Sequence, residues 1–204
     1  MTQEPLILIG AGGHTKSCIE VIEADGRYQI LGLVGSEAEK GKDILGYKVI
    51  GTDNDLKGLK SQTKNVLITI GQIKSPEPRN RIFESLKESG FQLVSIVSPF
   101  AKVSKSAQIG EGTIVFHNVI LNSEVRVGVN CIINTGAILE HEVIVGNHSH
   151  VSTGCILNGG VIVGECSFIG SGTVVKENIT IGSRVIVGMA SKVLKNISDK
   201  TLFV

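Results

Sequence analysis

Two pairs of residues, eighteen positions apart, combine a proton-accepting side chain with a stretch of backbone that has no side chains. His141 is followed by Glu142, and the pair eighteen residues later is Gly159 and Gly160. A neutral histidine has a pKa of about 6.5 and takes up a proton at neutral pH, and a neighbouring carboxylate fixes its tautomer and raises its basicity. Glycines let a ligand approach the backbone, whose N–H groups can hold a developing oxyanion. These residue types suit acyl transfer to an amine, in which a base removes a proton as nitrogen attacks a thioester.

The element that must position these residues is a repeat of six, because an aliphatic residue recurs at every sixth position from Val103 to Val193. A period of six fits neither an amphipathic helix nor the two-residue alternation of a strand. It is typical of a parallel β-helix, in which three six-residue sides make one eighteen-residue coil and the aliphatic residues stack inside. An ordinary sandwich would need turns of variable length and would lose this phase.

The repeat predicts which residues share a corner of the coil. If the aliphatic residues and the residues two positions before them face inward, the third and fourth residues of each hexapeptide form the corners. Corners that are eighteen residues apart then stack on one another. Adjacent coils lie about 4.8 Å apart, so His141 is expected directly beneath Gly159, with Glu142 above Glu124. A solvated polar turn is the alternative interpretation of His141, and the repeat alone leaves both open.

The N-terminal half has a different pattern, in which short aliphatic strands alternate with helices. Strands are predicted at 6–9, 30–34, 47–50, 66–70 and 91–97, with helices after the first strand and at 78–89. This alternation predicts a small Rossmann-like parallel sheet with ligands at the carboxyl ends of its strands. Pro99 marks the boundary, so the expected domains are residues 1–98 and 99–204.

A glycine turn, Gly10-Ala11-Gly12-Gly13-His14, joins the first strand to the first helix. The dinucleotide fingerprint is incomplete, since its third glycine would fall at Thr15 and Gly35-Ser36 stand where an acidic residue would end the second strand. We expect the exposed N–H groups of this turn to bind the nucleotide of a nucleotide sugar. A purely structural turn and a nicotinamide cofactor are the alternatives.

Composition excludes several partners. Lys and Arg number 20 against 19 Asp and Glu, and aromatic residues make up 4% of the chain, so neither nucleic acid nor an anionic membrane surface is expected as a partner. Nothing in the first residues resembles a signal peptide, and no apolar span reaches the length of a membrane helix, so neither is expected. The four cysteines form no Cys-x-x-Cys pair, which favours a reduced, cytoplasmic setting.

The run 133–142, Ile-Asn-Thr-Gly-Ala-Ile-Leu-Glu-His-Glu, resembles a segment of the hexapeptide-repeat sugar acetyltransferases grouped with sialic acid O-acetyltransferases. That family includes bacterial N-acetyltransferases acting on nucleotide-linked 4-amino-4,6-dideoxy sugars, and the N-terminal glycine turn matches as well. The resemblance implies a left-handed β-helix, acetyl-CoA as cosubstrate without a metal, and a nucleotide-linked amino sugar as acceptor. The chain departs from the family at Gly35-Ser36, where acidic residues are common, which leaves the nucleotide and the hexose open.

The resemblance also implies three sets of site residues. His141 is the general base, Glu142 increases its basicity, and Asn134 helps to arrange the acceptor or the base. The positions that match the acetyl-CoA site, which lies between coils of adjacent subunits, are His150, Gly159, Ser171 and Met189. The positions that match the nucleotide-sugar site are Gly12, Gly13, His14, Gly35, Ser36 and Gly71.

Outward-facing apolar residues predict a homotrimer, because a contiguous apolar surface is usually covered by a partner. These residues are Ile114, Ile120, Ile132, Ile138, Ile144, Ile156, Ile162 and Val174.

Three other functions compete with N-acetylation. O-acetylation of a sialic-acid-like sugar needs the same base with an alcohol acceptor. A zinc-dependent hydratase would need three histidines together, but the candidates fall on different corners or faces of the coil: His117, His141, His148 and His150. A non-catalytic assembly module would need the rigid coil alone.

Overall fold

The structure, a computed structural model, describes residues 2–204 and divides them into two compact units. The first unit contains residues 2–71 and Pro78–Ile96. The second contains Val97–Val204 together with the segment Gln72–Glu77, which the sequence analysis assigns to the N-terminal half.

The first unit is built on a six-stranded sheet in the order β3-β4-β2-β1-β5-β6, parallel except for the pairing of β3 with β4. Its central strand is buried on both faces, as expected for a parallel sheet covered by helices. The strands are β1 (Glu4–Ile9), β2 (Tyr28–Val34), β3 (Asp43–Ile44), β4 (Tyr47–Gly51), β5 (Asn65–Ile68) and β6 (Gln92–Leu93). The helices are α1 (Gly13–Asp25), α2 (Leu56–Leu59) and α3 (Glu77–Glu88), with 3-10 turns at Glu37–Glu39 and Asp53–Asp55.

The prediction of one last strand over 91–97 is wrong. Gln92–Leu93 pairs with β5 in the first sheet, whereas Ile96–Val97 forms the first strand of a different sheet, in the coil. The chain changes sheets between these two pieces, so the apolar residues of this segment belong to two cores in succession.

The second unit is a left-handed parallel β-helix with three flat sides; the repeat predicts the coil, and the family resemblance implies its hand. The first coil sheet has the order β7-β10-β13-β16-β19-β22-β24, the second β8-β11-β14-β17-β20-β23, and the third β9-β12-β15-β18-β21. The strands are β7 (Ile96–Val97), β8 (Lys102–Val103), β9 (Gln108–Ile109), β10 (Ile114–Val115), β11 (Ile120–Leu121), β12 (Arg126–Val127), β13 (Ile132–Ile133), β14 (Ile138–Leu139), β15 (Ile144–Val145), β16 (His150–Val151), β17 (Ile156–Leu157), β18 (Ile162–Val163), β19 (Phe168–Ile169), β20 (Val174–Val175), β21 (Thr180–Ile181), β22 (Ile186–Val187), β23 (Lys192–Val193) and β24 (Leu202–Phe203).

The register confirms the predicted eighteen-residue coil. Leu121 pairs with Leu139, and Leu139 with Leu157, each eighteen residues further along. These side chains are buried inside the coil, and so are the small residues two positions before them, such as Ala137 and Cys155. The inward pattern predicted from the repeat is therefore the core of the second unit.

A ladder of hydroxyl groups links successive coils inside one corner. Ser149 Oγ donates to Gly164 O (2.8 Å) and accepts from Ser167 N (3.0 Å). One coil further, Ser167 Oγ donates to Gly182 O (2.8 Å) and accepts from Val185 N (3.0 Å). Each hydroxyl thus satisfies two backbone groups that the corner leaves out of the strand pairing, and both serines are buried.

The eight outward apolar residues fall into three groups, of which the first, Ile120, Ile138 and Ile156, is half-buried. Ile114 and Ile132 are fully buried within the chain itself, so the expectation that a partner covers them is wrong. Ile144, Ile162 and Val174 are 37%, 41% and 39% exposed. Of the eight outward apolar residues named from the sequence, the exposed ones therefore lie on the second and third coil sheets.

We predict that Ser167→Ala destabilises the protein by about 1–3 kcal/mol, because it leaves a buried N–H and a buried carbonyl without their partner. Chemical denaturation followed by circular dichroism measures the change. The exposed Ser198→Ala is the matched control and is expected to leave stability unchanged. Equal stability of the two variants would contradict a role for the ladder.

Candidate active site

The His141–Glu142 pair forms the corner between β14 and β15, as the repeat predicts. Hydrogen bonds from both neighbouring coils hold it: Glu142 N donates to Ser123 O (2.9 Å), and Gly160 N donates to His141 O (3.0 Å). Glu142 has a left-handed φ of 63°, which turns the chain sharply at this point. The two side chains project outward and are 63% and 64% exposed, so a ligand can reach them.

The carboxylate of Glu142 orients the imidazole. His141 Nδ1 lies 3.0 Å from Glu142 Oε2. An ionised carboxylate only accepts hydrogen bonds, so Nδ1 carries the proton and Nε2 presents its lone pair. That tautomer is the one a general base requires, with the basic nitrogen on the side of the ring away from the carboxylate.

Gly159 lies directly against the imidazole, one coil further along. A Cβ atom on Gly159 would lie 2.5 Å from both Nε2 and Cε1 of His141. The left-handed conformation is found at its neighbour Gly160, whose φ is 68°, and not at Gly159. Glycine is therefore needed at Gly159 for the space that the histidine ring occupies, and at Gly160 for the turn of the backbone.

Asn134 lies on a different corner of the coil, next to β13. Its Oδ1 accepts from Thr135 N (2.8 Å), and its Nδ2 lies 3.3 Å from His150 Nε2. The structure thus brings Asn134 together with His150, and it does not bring Asn134 to His141 within one chain.

His150 is buried on the outward face of the first coil sheet, with 5% of its surface exposed. Its Nδ1 donates to Gln72 O (2.6 Å), which leaves Nε2 to accept from the Asn134 amide, and its ring meets Phe168 edge-on at 5.2 Å. Gln72 in turn donates from Nε2 to His148 O (2.8 Å). The sequence gives no sign of this role for Gln72, because the segment that carries it has no repeat.

Ser171 and Met189 share the corner of Asn134, about two and three coils further along. Ser171 Oγ lies 2.8 Å from Ser152 Oγ, and Met189 is 81% exposed. Of the four residues expected to contact acetyl-CoA, Gly159 accompanies His141, Ser171 and Met189 lie on the Asn134 corner, and His150 lies on the first coil sheet.

The first unit contains a cavity of about 350 Å³ at the carboxyl ends of β1 and β2. Gly12, Gly35 and Ser36, which the family resemblance matches to the nucleotide-sugar site, line it. Gly13 and His14 begin α1, and a Cβ on Gly71 would lie at an ordinary contact distance of 3.5 Å from His14 Cβ. The backbone at Gly12 and Gly13 is open, with no atom near the place of a side chain, so the N–H groups of the helix start are accessible.

Two carboxylates that the sequence analysis does not single out also line this cavity, Glu39 and Asp53. The backbone N–H of Ser36, and then its hydroxyl, donate to Glu39 and lower the pKa of that carboxyl. A signal for this contact exists in the sequence, because Ser36 and Glu39 have the spacing of a capping box.

Between residues 2 and 204, no group of three or more His, Cys, Asp or Glu side chains is placed to hold a metal ion. Over the same residues, no helix is long and apolar enough to cross a membrane.

Comparisons with known proteins place the chain among sugar acetyltransferases. A family model described as the PglD N-terminal domain matches residues 5–86. The chain is 32% identical to a histidine-to-asparagine mutant of perosamine N-acetyltransferase from Caulobacter crescentus, solved in complex with CoA and GDP-perosamine; the match covers 98% of this chain and 93% of that chain, with a TM-score of 0.92. It is 29% identical to the acetyltransferase domain of PglB from Neisseria gonorrhoeae in complex with acetyl coenzyme A, over 98% of this chain and 95% of that chain, with a TM-score of 0.87. No curated protein sequence matches the chain.

We predict that Gly159→Ala displaces the imidazole of His141, because the added methyl group would occupy the place of the ring. The Nδ1 contact with Glu142 should then break, which ¹⁵N chemical shifts of the imidazole detect. Gly58→Ala, where no atom lies near the added methyl group, is the control and should leave these shifts unchanged. Unchanged shifts in Gly159→Ala would contradict the close packing described here.

Proposed function

The chain belongs to the hexapeptide-repeat family of acetyltransferases that act on nucleotide-linked amino sugars, and we propose that His141 is the general base of this reaction in it. The substrates we propose are acetyl-CoA and a nucleotide-linked amino-deoxy sugar, which receives the acetyl group on its amine. The observation that carries this proposal is the His141 corner, where Glu142 holds Nδ1 and leaves Nε2 free beside a glycine.

The proposed reaction is a direct transfer. The neutral amine attacks the carbonyl carbon of the thioester, and Nε2 of His141 takes a proton from nitrogen as the new C–N bond forms. The tetrahedral intermediate then collapses, the C–S bond breaks, and the thiolate of CoA leaves and takes that proton. Glu142 stabilises the imidazolium that exists between these steps, because its carboxylate lies 3.0 Å from Nδ1.

Gly159 at the next corner leaves room for the ring of His141, because a side chain there would fill the position where the imidazole lies. We propose that the acyl group of acetyl-CoA runs over this corner, and that Ser171 and Met189 contact other parts of the same molecule from an adjacent subunit.

We place the nucleotide sugar in the first unit, at the cavity lined by Gly12, Gly35 and Ser36. The open start of α1 offers backbone N–H groups and the positive end of the helix dipole to the phosphates. His14 and Gly71 lie next to one another close to this turn. We propose a cytoplasmic location, which agrees with four cysteines that form no disulfide.

The test is a panel of nucleotide-linked amino sugars incubated with acetyl-CoA while free thiol is measured. Release of CoA with one of them, together with an N-acetylated product in mass spectrometry, would support the proposal. Release only with a free sialic-acid-like sugar would replace it with O-acetylation.

We predict that His141→Asn lowers turnover by at least about a hundredfold, the usual contribution of a positioned base. The melting temperature should not change, because the side chain is exposed. Glu142→Gln should give a smaller loss, and Glu124→Gln, at the same corner one coil earlier, is the matched control without an effect. Turnover of His141→Asn within threefold of the wild type would remove His141 from the mechanism.

We further propose a homotrimer. Of the outward apolar residues predicted to meet a partner, those that remain exposed lie on the second and third coil sheets, which meet at the His141 corner. A neighbouring copy packed against these faces would cover Ile144, Ile162 and Val174. It would also bring a second coil close to the catalytic corner.

We predict that Ile162→Asp dissociates the assembly, because it places a charge on the covered face. Sedimentation velocity measures the change in mass, and Ile162→Val, which keeps the face apolar, is the control. A wild-type protein that sediments as a monomer at micromolar concentration would be inconsistent with the proposed trimer.

A further inference from the structure

Glu39 supplies a carboxylate to the cavity of the first unit from outside the strands. The chain leaves β2 at Val34, and Ser36 begins the 3-10 turn Glu37–Glu39. This turn brings Glu39 back onto the strand end, where Glu39 Oε2 accepts from Ser36 N (2.9 Å) and from Ser36 Oγ (2.7 Å). Two hydrogen bonds to one oxygen hold the carboxylate in place.

The backbone of Gly35 lies close to this carboxylate. A Cβ atom on Gly35 would lie 3.0 Å from Ala11 Cβ, 3.1 Å from Glu39 Oε2 and 3.3 Å from Val49 Cγ1. A side chain on the strand end itself would therefore be crowded, and the Glu39 carboxylate lies next to the place that it would take. The contact with Ala11 puts the same strand end against the glycine turn that precedes α1.

The second oxygen of Glu39 is available to a ligand. Among residues 2–204, the hydrogen bonds to the Glu39 carboxylate all reach Oε2 and none reaches Oε1. Glu39 is one of the residues that line the cavity. The Ser36 hydrogen bonds lower the pKa of this carboxyl, so it is ionised at neutral pH and can only accept. Asp53 adds a second acidic side chain to the cavity wall.

An ionised carboxylate selects the part of a nucleotide that it faces. It repels phosphate groups, which have a separate site at the open N-terminus of α1. It attracts hydroxyl donors, and O–H···O⁻ bonds are among the short and strong hydrogen bonds. In parallel α/β folds that bind nucleotides, an acidic residue after the second strand bonds to the ribose in the same way.

We propose that Glu39 accepts a hydrogen bond from a ribose hydroxyl and thereby makes the site specific for ribonucleotides over deoxynucleotides. This inference rests on the proposed binding of a nucleotide-linked sugar in the first unit, and it names the residue that selects the nucleotide class. A site that binds a hydroxyl through a polar group rejects the analogue that lacks it, because the group then loses its partner.

A capping role alone predicts a different result. If Glu39 served only to close the 3-10 turn, its removal would weaken the binding of every nucleotide by the same factor. If it binds the ribose, its removal weakens ribonucleotides selectively. The ratio of the two affinities therefore separates the roles even where the loop becomes less ordered.

Isothermal titration calorimetry of the full chain with GDP, 2′-deoxy-GDP and 3′-deoxy-GDP, and with UDP and its two deoxy analogues, measures this ratio. We expect the wild type to bind at least one ribonucleotide at least about tenfold more tightly than one of its deoxy analogues. In Glu39→Ala the preference should fall to within about twofold, the level expected without the selective hydrogen bond. Glu37→Ala, the neighbouring carboxylate in the same turn, does not line the cavity and should keep the full preference.

Each of three outcomes would contradict the inference about Glu39. Wild-type protein that binds a ribonucleotide and its deoxy analogues equally would overturn the inference and leave the proposed nucleotide site intact. A preference that persists in Glu39→Ala would also overturn it, and would assign the selection to another residue. Wild-type protein that binds none of the nucleotides would overturn both the inference and the proposed nucleotide site.

Discussion

Parallel pairing of each coil with the coil eighteen residues later is the constraint on which the rest of the second unit depends. Leu121, Leu139 and Leu157 pair in series, so the same place in each coil is stacked on the next. The hydroxyl ladder of Ser149 and Ser167 ties the corners together along the same axis. The residue eighteen positions later is therefore the neighbour of each corner residue, and Gly159 lies against His141 for this reason.

This constraint also explains why the candidate catalytic corner could be found from the sequence. A period without insertions assigns every residue to a side or a corner, so the contact between residues eighteen apart needs no knowledge of packing. The sequence does not predict the backbone conformation of this corner, because either of two adjacent glycines could adopt the left-handed turn. The structure gives that turn to Gly160, and the reason for Gly159 is the ring of His141.

Features that join segments without a common period could not be predicted. The burial of His150 depends on Gln72, which lies seventy-eight residues earlier and outside the repeat. The apolar run at 91–97 was assigned to one strand, because composition does not show that the chain changes sheets within it. The strand pattern does not predict that Glu39 lies at the end of β2, because a turn and not the strand carries it there. The sequence does contain one signal for this position, the capping-box spacing of Ser36 and Glu39.

The triangular section of the coil restricts how a complete site can form. His141 and Asn134 lie on successive corners, separated by the side that contains Ile138 and Leu139. About four extended residues at roughly 3.3 Å each make a side of about 13 Å, several times the length of a hydrogen bond. If both residues act on one substrate, as the family resemblance implies, two copies of the chain must meet with different corners facing each other. The exposed apolar residues on both sides of the His141 corner provide a surface for that contact, so the proposed trimer and the proposed chemistry depend on the same corner of the coil.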